Sequence, residues 1–178
     1  MALKATVFKV NLQVSDLDRH HYATYALTLA RHPSETDDHM MLRVLAFALE
    51  AAEGLEFGKG ISSDEPALWQ HDPTGLIEHW IEAGLPEESA LRRACGKARK
   101  VTVYAYGSRA TAPWWQKNGA ALGRLANLRV RQLADETLAA LGALAERSMD
   151  ITCLVQDGEA QILSGESVVP IALAELKP

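Results

Sequence analysis

From Thr6 to Val14 every second position is Thr6, Phe8, Val10, Leu12 and Val14 in turn, the period of a strand that buries one face. That face must be covered, so the chain cannot be all helix and needs a second layer. Asp16 to Arg19 supplies a polar turn, and Tyr22 to Arg31 returns as a second strand. Pro33 and Ser34 open a helix: Ser34 is placed to cap it, with Asp37 three residues on, and Met41, Leu45 and Ala48 repeat at helical spacing until Gly54.

Short strands are expected at Leu55 to Ile61, Pro66 to His71 and Leu76 to Ala83, the last two joined by the turn formers Asp72-Pro73-Thr74-Gly75. Pro86 to Ala98 reads as a helix, with Glu87 and Glu88 in its first turn and Arg92, Arg93 and Lys97 toward its end, complementing the helix dipole. Val101 to Tyr106 is a β-branched and aromatic run bounded by Gly107. A helix at Pro113 to Ala126, a strand at Leu128 to Leu133 and an Ala/Leu-rich helix at Asp135 to Arg147 follow. Ile151 to Val155 and Gln161 to Leu163, around Asp157-Gly158, make a terminal hairpin. The order is ββαβββαβαβαββ: an α/β fold in which a mixed central sheet is flanked by helices, with hairpins at both ends. Its 178 residues contain no repeat or linker, and are expected to form a single domain over 1–178.

Hydrophobic residues make up 48% and charged residues 23%, which excludes a disordered chain. Lysine and arginine number 18 against 23 acids, so a net charge of −5 draws the molecule to neither nucleic acid nor anionic membrane as a whole. Any nucleic-acid contact must use a local basic patch. Arg43 and Glu50 interrupt the richest apolar segment, so no membrane span is expected. Cys95 and Cys153 follow no signal peptide, so free thiols in a cytoplasmic protein are expected.

The sequence has no phosphate-binding glycine loop, dinucleotide fingerprint, nucleophile elbow or paired-cysteine spacing. His20-His21 lack partners at zinc spacing, and Cys95 lacks a placeable base. Trp114-Trp115 fits a core position or a base-stacking platform. The informative cluster is acidic. If His71 opposes Leu76, Trp69 meets Glu78 and Glu65 meets Glu82, with Asp64 adjacent. Opposed acids repel unless a cation or shared proton lies between them, so these three form either a solvated hairpin end or a site for Mg²⁺ or Mn²⁺. Glu50 adds a fourth acid at a helix end. Arg92, Arg93, Lys97, Arg99 and Lys100 form a basic run that reads as a solvated helix end or a phosphate-binding surface.

Several segments together resemble the bacterial YaeQ family: Leu29-Ala30-Arg31-His32-Pro33-Ser34-Glu35-Thr36, Leu45-Ala46-Phe47-Ala48-Leu49, Leu68-Trp69-Gln70, Trp80-Ile81-Glu82 with Gly84, and Ala94-Cys95-Gly96-Lys97-Ala98. The resemblance implies a restriction-endonuclease-like core of the PD-(D/E)XK nuclease superfamily, built as helix, three-strand meander, helix and strand. It implies Asp64 or Glu65 and Glu82 as ligands of Mg²⁺ or Mn²⁺, Glu50 assisting, and a lysine beside the attacked phosphate. Gly84 stands where that lysine would be, two residues after Glu82; Lys97, or Lys59, is the candidate replacement. Arg92, Arg93 and Lys100 would then bind substrate. The resemblance thus implies a metal-dependent nuclease-like protein acting on or binding nucleic acid. The alternatives are an inactive nuclease-fold interaction module associated with transcription, favoured by Gly84, and a hydrolase of small phosphorylated substrates, favoured by the acidic balance.

Overall fold

The computed structural model describes residues 4–59 and 64–178. The chain forms two compact units, one from Met1–Ala51 and Glu136–Ala172, the other from Ala52–Asp135 and Leu173–Pro178. Where one central sheet is expected, the structure has two mixed sheets, because the strand pairs at the two ends of the chain find each other. In the first unit β1 (Thr6–Asp16) pairs antiparallel with β2 (His21–Arg31) along its whole length. Its other edge takes β8 (Ser148–Gln156) in parallel, and β9 (Glu159–Ser164) and β10 (Ser167–Ile171) extend the sheet antiparallel. The alternation in β1 behaves as read: Phe8, Val10, Leu12 and Val14 are buried.

The helix of this unit, α1 (Asp37–Glu50), buries nine consecutive residues from Met40 to Ala48 and is therefore enclosed all round rather than along one stripe. Its cap is Thr36, whose hydroxyl accepts the His39 N–H at 3.1 Å; Ser34, the expected cap, instead has its hydroxyl against His32 Nδ1 at 2.7 Å in the preceding turn. The helix ends at Glu50, short of Gly54, because Gly54 (φ +84°) belongs to the turn that enters the strand beginning at Leu55. The short helix α4 (Asp135–Gly142) stops before Arg147. A side chain on Gly142 would fall 1.7 Å from Asp38 Oδ1, so a larger residue there would require the Asp38 side chain to move.

The second unit holds β3 (Leu55–Phe57), β4 (Leu68–His71), β5 (Ile77–Ala83), α2 (Glu88–Lys97), β6 (Ala98–Ala105), α3 (Ser108–Leu122), β7 (Leu128–Leu133) and β11 (Leu173–Lys177). The end of the first strand expected here, Gly60-Ile61, lies outside the described residues. The sheet order is β11-β7-β6-β5-β4-β3, with β5, β6 and β7 parallel and the others antiparallel. Crossovers through α2 and α3 carry Leu91, Ala94 and Leu122 into one cluster with Trp80, Val101, Val103, Ala105, Leu128 and Val130. Both helices therefore share that cluster, as right-handed crossovers require. α3 begins at Ser108, not at Pro113, which sits exposed inside it. β10 and β11 are edge strands, and Pro170 is tolerated in β10 for that reason.

The β4–β5 register differs from the expected one. Trp69 faces Trp80 and Gln70 faces His79, with a bulge before His71, which faces Ile77. The cause is Asp72, whose Oδ1 accepts from Thr74 N, Thr74 Oγ1 and Leu76 N at 2.8, 2.6 and 3.0 Å and so draws Leu76 into the turn. Leu68 faces Ile81, and continuing that ladder sets Ala67, not Glu65, across from Glu82.

Candidate functional site

Glu82 lies one residue from the end of β5, on the face that carries Trp80, and is half-buried. The Trp80 indole N–H donates to its Oε1 at 2.9 Å. Burial pushes the Glu82 carboxyl above the usual range, and the single indole bond only partly offsets that. Two residues on, Gly84 donates its N–H to the Tyr104 carbonyl at 2.9 Å, so the ladder with β6 continues past the strand end. Gly84 has φ +125°, a conformation that favours glycine, and a Cβ there would meet no atom within 4 Å. Open space therefore lies beyond Glu82 at the carboxyl ends of the parallel strands. Trp69, Trp114, Trp115 and Leu85 pack against the same cluster as Trp80. The Trp114 indole donates to the Pro86 carbonyl at 2.9 Å, in the loop that follows Glu82.

The other acids singled out in the sequence lie on separate elements. Glu65 Oε2 accepts the Lys59 N–H at 2.6 Å, closing its own loop, and Asp64 is exposed. Glu50 is the half-buried last residue of α1, in the first unit. Among the described residues no three His, Cys, Asp or Glu side chains come together as a metal would require. A cage of three protein carboxylates for Mg²⁺ or Mn²⁺ is therefore not built among the described residues. The basic run is exposed, with Arg92, Arg93, Lys97, Arg99 and Lys100 along α2 and the start of β6. Arg92 pairs with Glu88 one helical turn earlier, and Arg99 Nε lies 3.4 Å from Glu78 Oε1.

Two further charged networks carry no sequence motif of their own. Glu35 accepts from Arg43 Nε at 2.8 Å, Arg43 Nη2 at 2.6 Å and His39 Nδ1 at 2.5 Å, and Arg43 also donates to the Ala30 carbonyl at 3.2 Å. Burial alone would raise the Glu35 carboxyl, but the His39 and Arg43 bonds more than reverse it and hold it below the usual range. His39 and Arg43 are four apart on one face of α1, but Glu35 precedes the Thr36 cap, so helical spacing alone does not reveal the cluster. On β7, Arg129 Nη2 and Arg131 Nε reach the same Glu175 Oε1 at 2.7 and 2.8 Å, tying down β11. Of the thiols, Cys153 is buried and pushed up to about 12, first by burial and then by Asp16; burial also raises Cys95, so neither is an activated nucleophile.

The chain is similar to known proteins over nearly its whole length. The model of the YaeQ protein family matches residues 1–173. The uncharacterized protein YaeQ of Escherichia coli (strain K12) is 46% identical over 159 residues, 89% of this chain and 88% of that one. The Salmonella typhi protein is 44% identical over 174 residues, covering 97% and 96%. The crystal structure of the YaeQ protein from Xanthomonas axonopodis pv. citri superposes with a TM-score of 0.93 at 48% identity, over 96% of this chain and 97% of that one. That from Pseudomonas syringae gives 0.93 at 31% identity, over 98% and 97%. With sequence and fold in agreement over nearly the whole length, the chain belongs to the YaeQ family.

Proposed function

We propose that this chain binds a nucleic-acid strand through its surface basic run and does not cut it. The observation that carries this reading is the exposed sequence of Arg92, Arg93, Lys97, Arg99 and Lys100 across α2 and the start of β6, in a molecule whose net charge is −5. A local cationic strip of this kind gains affinity by releasing counterions from phosphates, while the acidic remainder limits non-specific binding. The order α1-β3-β4-β5-α2-β6 agrees with a restriction-endonuclease-like core. Cutting by that chemistry needs acids converging on a divalent ion and a lysine beside them. Here Glu65 is engaged by Lys59 N–H, Gly84 stands at the lysine position, and Lys97 is exposed at the end of α2. A binding role for an inherited scaffold follows.

The test is fluorescence anisotropy with labelled single- and double-stranded oligonucleotides across a salt series, with Mg²⁺ or with EDTA. The reading predicts that affinity falls steeply as salt rises and is the same with EDTA. It also predicts that Arg93→Glu with Lys97→Glu removes about two phosphate contacts from the salt slope. Strand cleavage dependent on Mg²⁺ or Mn²⁺ and abolished by Glu82→Gln would overturn it in favour of a nuclease.

A further inference from the structure

Resting on the nucleic-acid reading, we infer that Glu82 reads the edge of an unstacked, amino-bearing base at the carboxyl end of β5, so that the bound strand is recognised by base as well as by phosphate. Three observations meet there. One oxygen of the Glu82 carboxyl is held by the Trp80 indole, which fixes the group's orientation and leaves Oε2 as the acceptor for an incoming N–H. Space opens beside it, since a Cβ at Gly84 would meet nothing within 4 Å, and nor would one at Gly107, just past the end of the adjacent parallel strand. A partly buried indole stands at the same loop, where Trp114, packed against the core and beside Trp115, is pinned through its N–H to the Pro86 carbonyl.

In parallel sheets ligands enter at the carboxyl ends of the strands. A carboxylate in a partly desolvated position, with one oxygen engaged and the other an acceptor, suits an N–H donor. The exocyclic amino group of cytosine is a donor that a glutamate accepts directly, whereas thymine and uracil present a carbonyl oxygen at the same edge and meet repulsion. Stacking on an aromatic ring holds an unpaired base of either kind. The basic run ends at the amino end of β6, where Ala98 pairs with Ile77, five strand residues from Glu82, so a bound strand of several nucleotides would span from the basic residues that supply affinity to the Glu82 that chooses the base.

The experiment compares oligodeoxycytidine and oligothymidine of equal length, by anisotropy at fixed moderate salt, on the wild-type protein, Glu82→Gln, Glu82→Asp and the Arg93→Glu, Lys97→Glu double variant. The inference predicts about tenfold tighter binding of oligodeoxycytidine by the wild type, the scale of a hydrogen bond to a charged group. In Glu82→Gln, whose amide still accepts from Trp80 and can also donate to thymine, the ratio falls toward one with oligothymidine binding retained. Glu82→Asp, one methylene shorter, loses the preference as well. The double variant weakens both strands alike and keeps the ratio. Equal binding of the two strands by the wild type, or a preference that survives Glu82→Gln, overturns the inference and leaves phosphate binding standing. Absence of binding to either strand overturns both.

Discussion

Glu35 and Glu82 are both drawn away from water, and they behave oppositely. Glu35, before α1, is locked by three charge-assisted bonds from Arg43 and His39 and holds its proton less tightly than a free glutamate. Glu82, near the end of β5, receives one neutral indole bond, and burial makes it hold its proton more tightly. The first is bound up in the fold, and the second carries a cost that packing alone does not explain. Buried charge with its partners in place belongs to structure; buried charge left short of partners, beside open space, points to a ligand.

The largest break in this contrast comes from Arg43, which is 4% exposed. Arg43→Met should strand the Glu35 carboxylate and destabilise the fold by about 3–5 kcal/mol, measured by urea unfolding at neutral pH. Next, Glu35→Gln removes the charge but keeps an acceptor, and should cost about 1–3 kcal/mol at neutral pH. Because the folded pKa of Glu35 is lowered, its contribution is complete above the unfolded value and is lost as pH falls through the folded one. Wild type and variant should therefore converge in stability at strongly acidic pH.

Glu82→Gln should do the reverse. The folded pKa of Glu82 is raised, so the wild type loses stability as pH rises from the ordinary carboxylate range through the folded value. The variant should lack that slope and be the more stable of the two at neutral pH. The smallest effect belongs to the surface: Arg92→Ala, which breaks an exposed pair one helical turn apart, should change stability by only about 0.3–0.5 kcal/mol.

Much of this frame is legible in the residues. Leu128–Leu133 forms the strand its pattern describes, and the helix from Asp37 and the strand ending at Ala83 follow periodicity and turn chemistry. The faces are legible too, since residues 80 and 82 lie two apart on one strand and share a side. Two things depend on distant parts of the chain. That β1 would take β8 as a parallel neighbour, making two sheets, is a long-range pairing that periodicity does not encode. Nor do local patterns distinguish short edge strands such as β10, with its proline, from loops.

The site departs for a local reason. One side chain, Asp72, collects three hydrogen bonds in the turn and moves the register by two residues, which keeps every face but brings Ala67 rather than Glu65 opposite Glu82. A site inferred from facing acids is therefore sensitive to turn geometry, whereas the Trp80–Glu82 pair on a single strand is not.

The most direct measurement is a carboxyl ¹³C NMR titration of the glutamates in the folded protein, without and with magnesium. The account predicts that Glu35 titrates below the ordinary glutamate range and Glu82 above it, with the Glu82 curve unmoved by magnesium. A Glu82 that titrates at or below the ordinary range, or shifts downward when magnesium is added, would contradict the account and restore a metal-centred site.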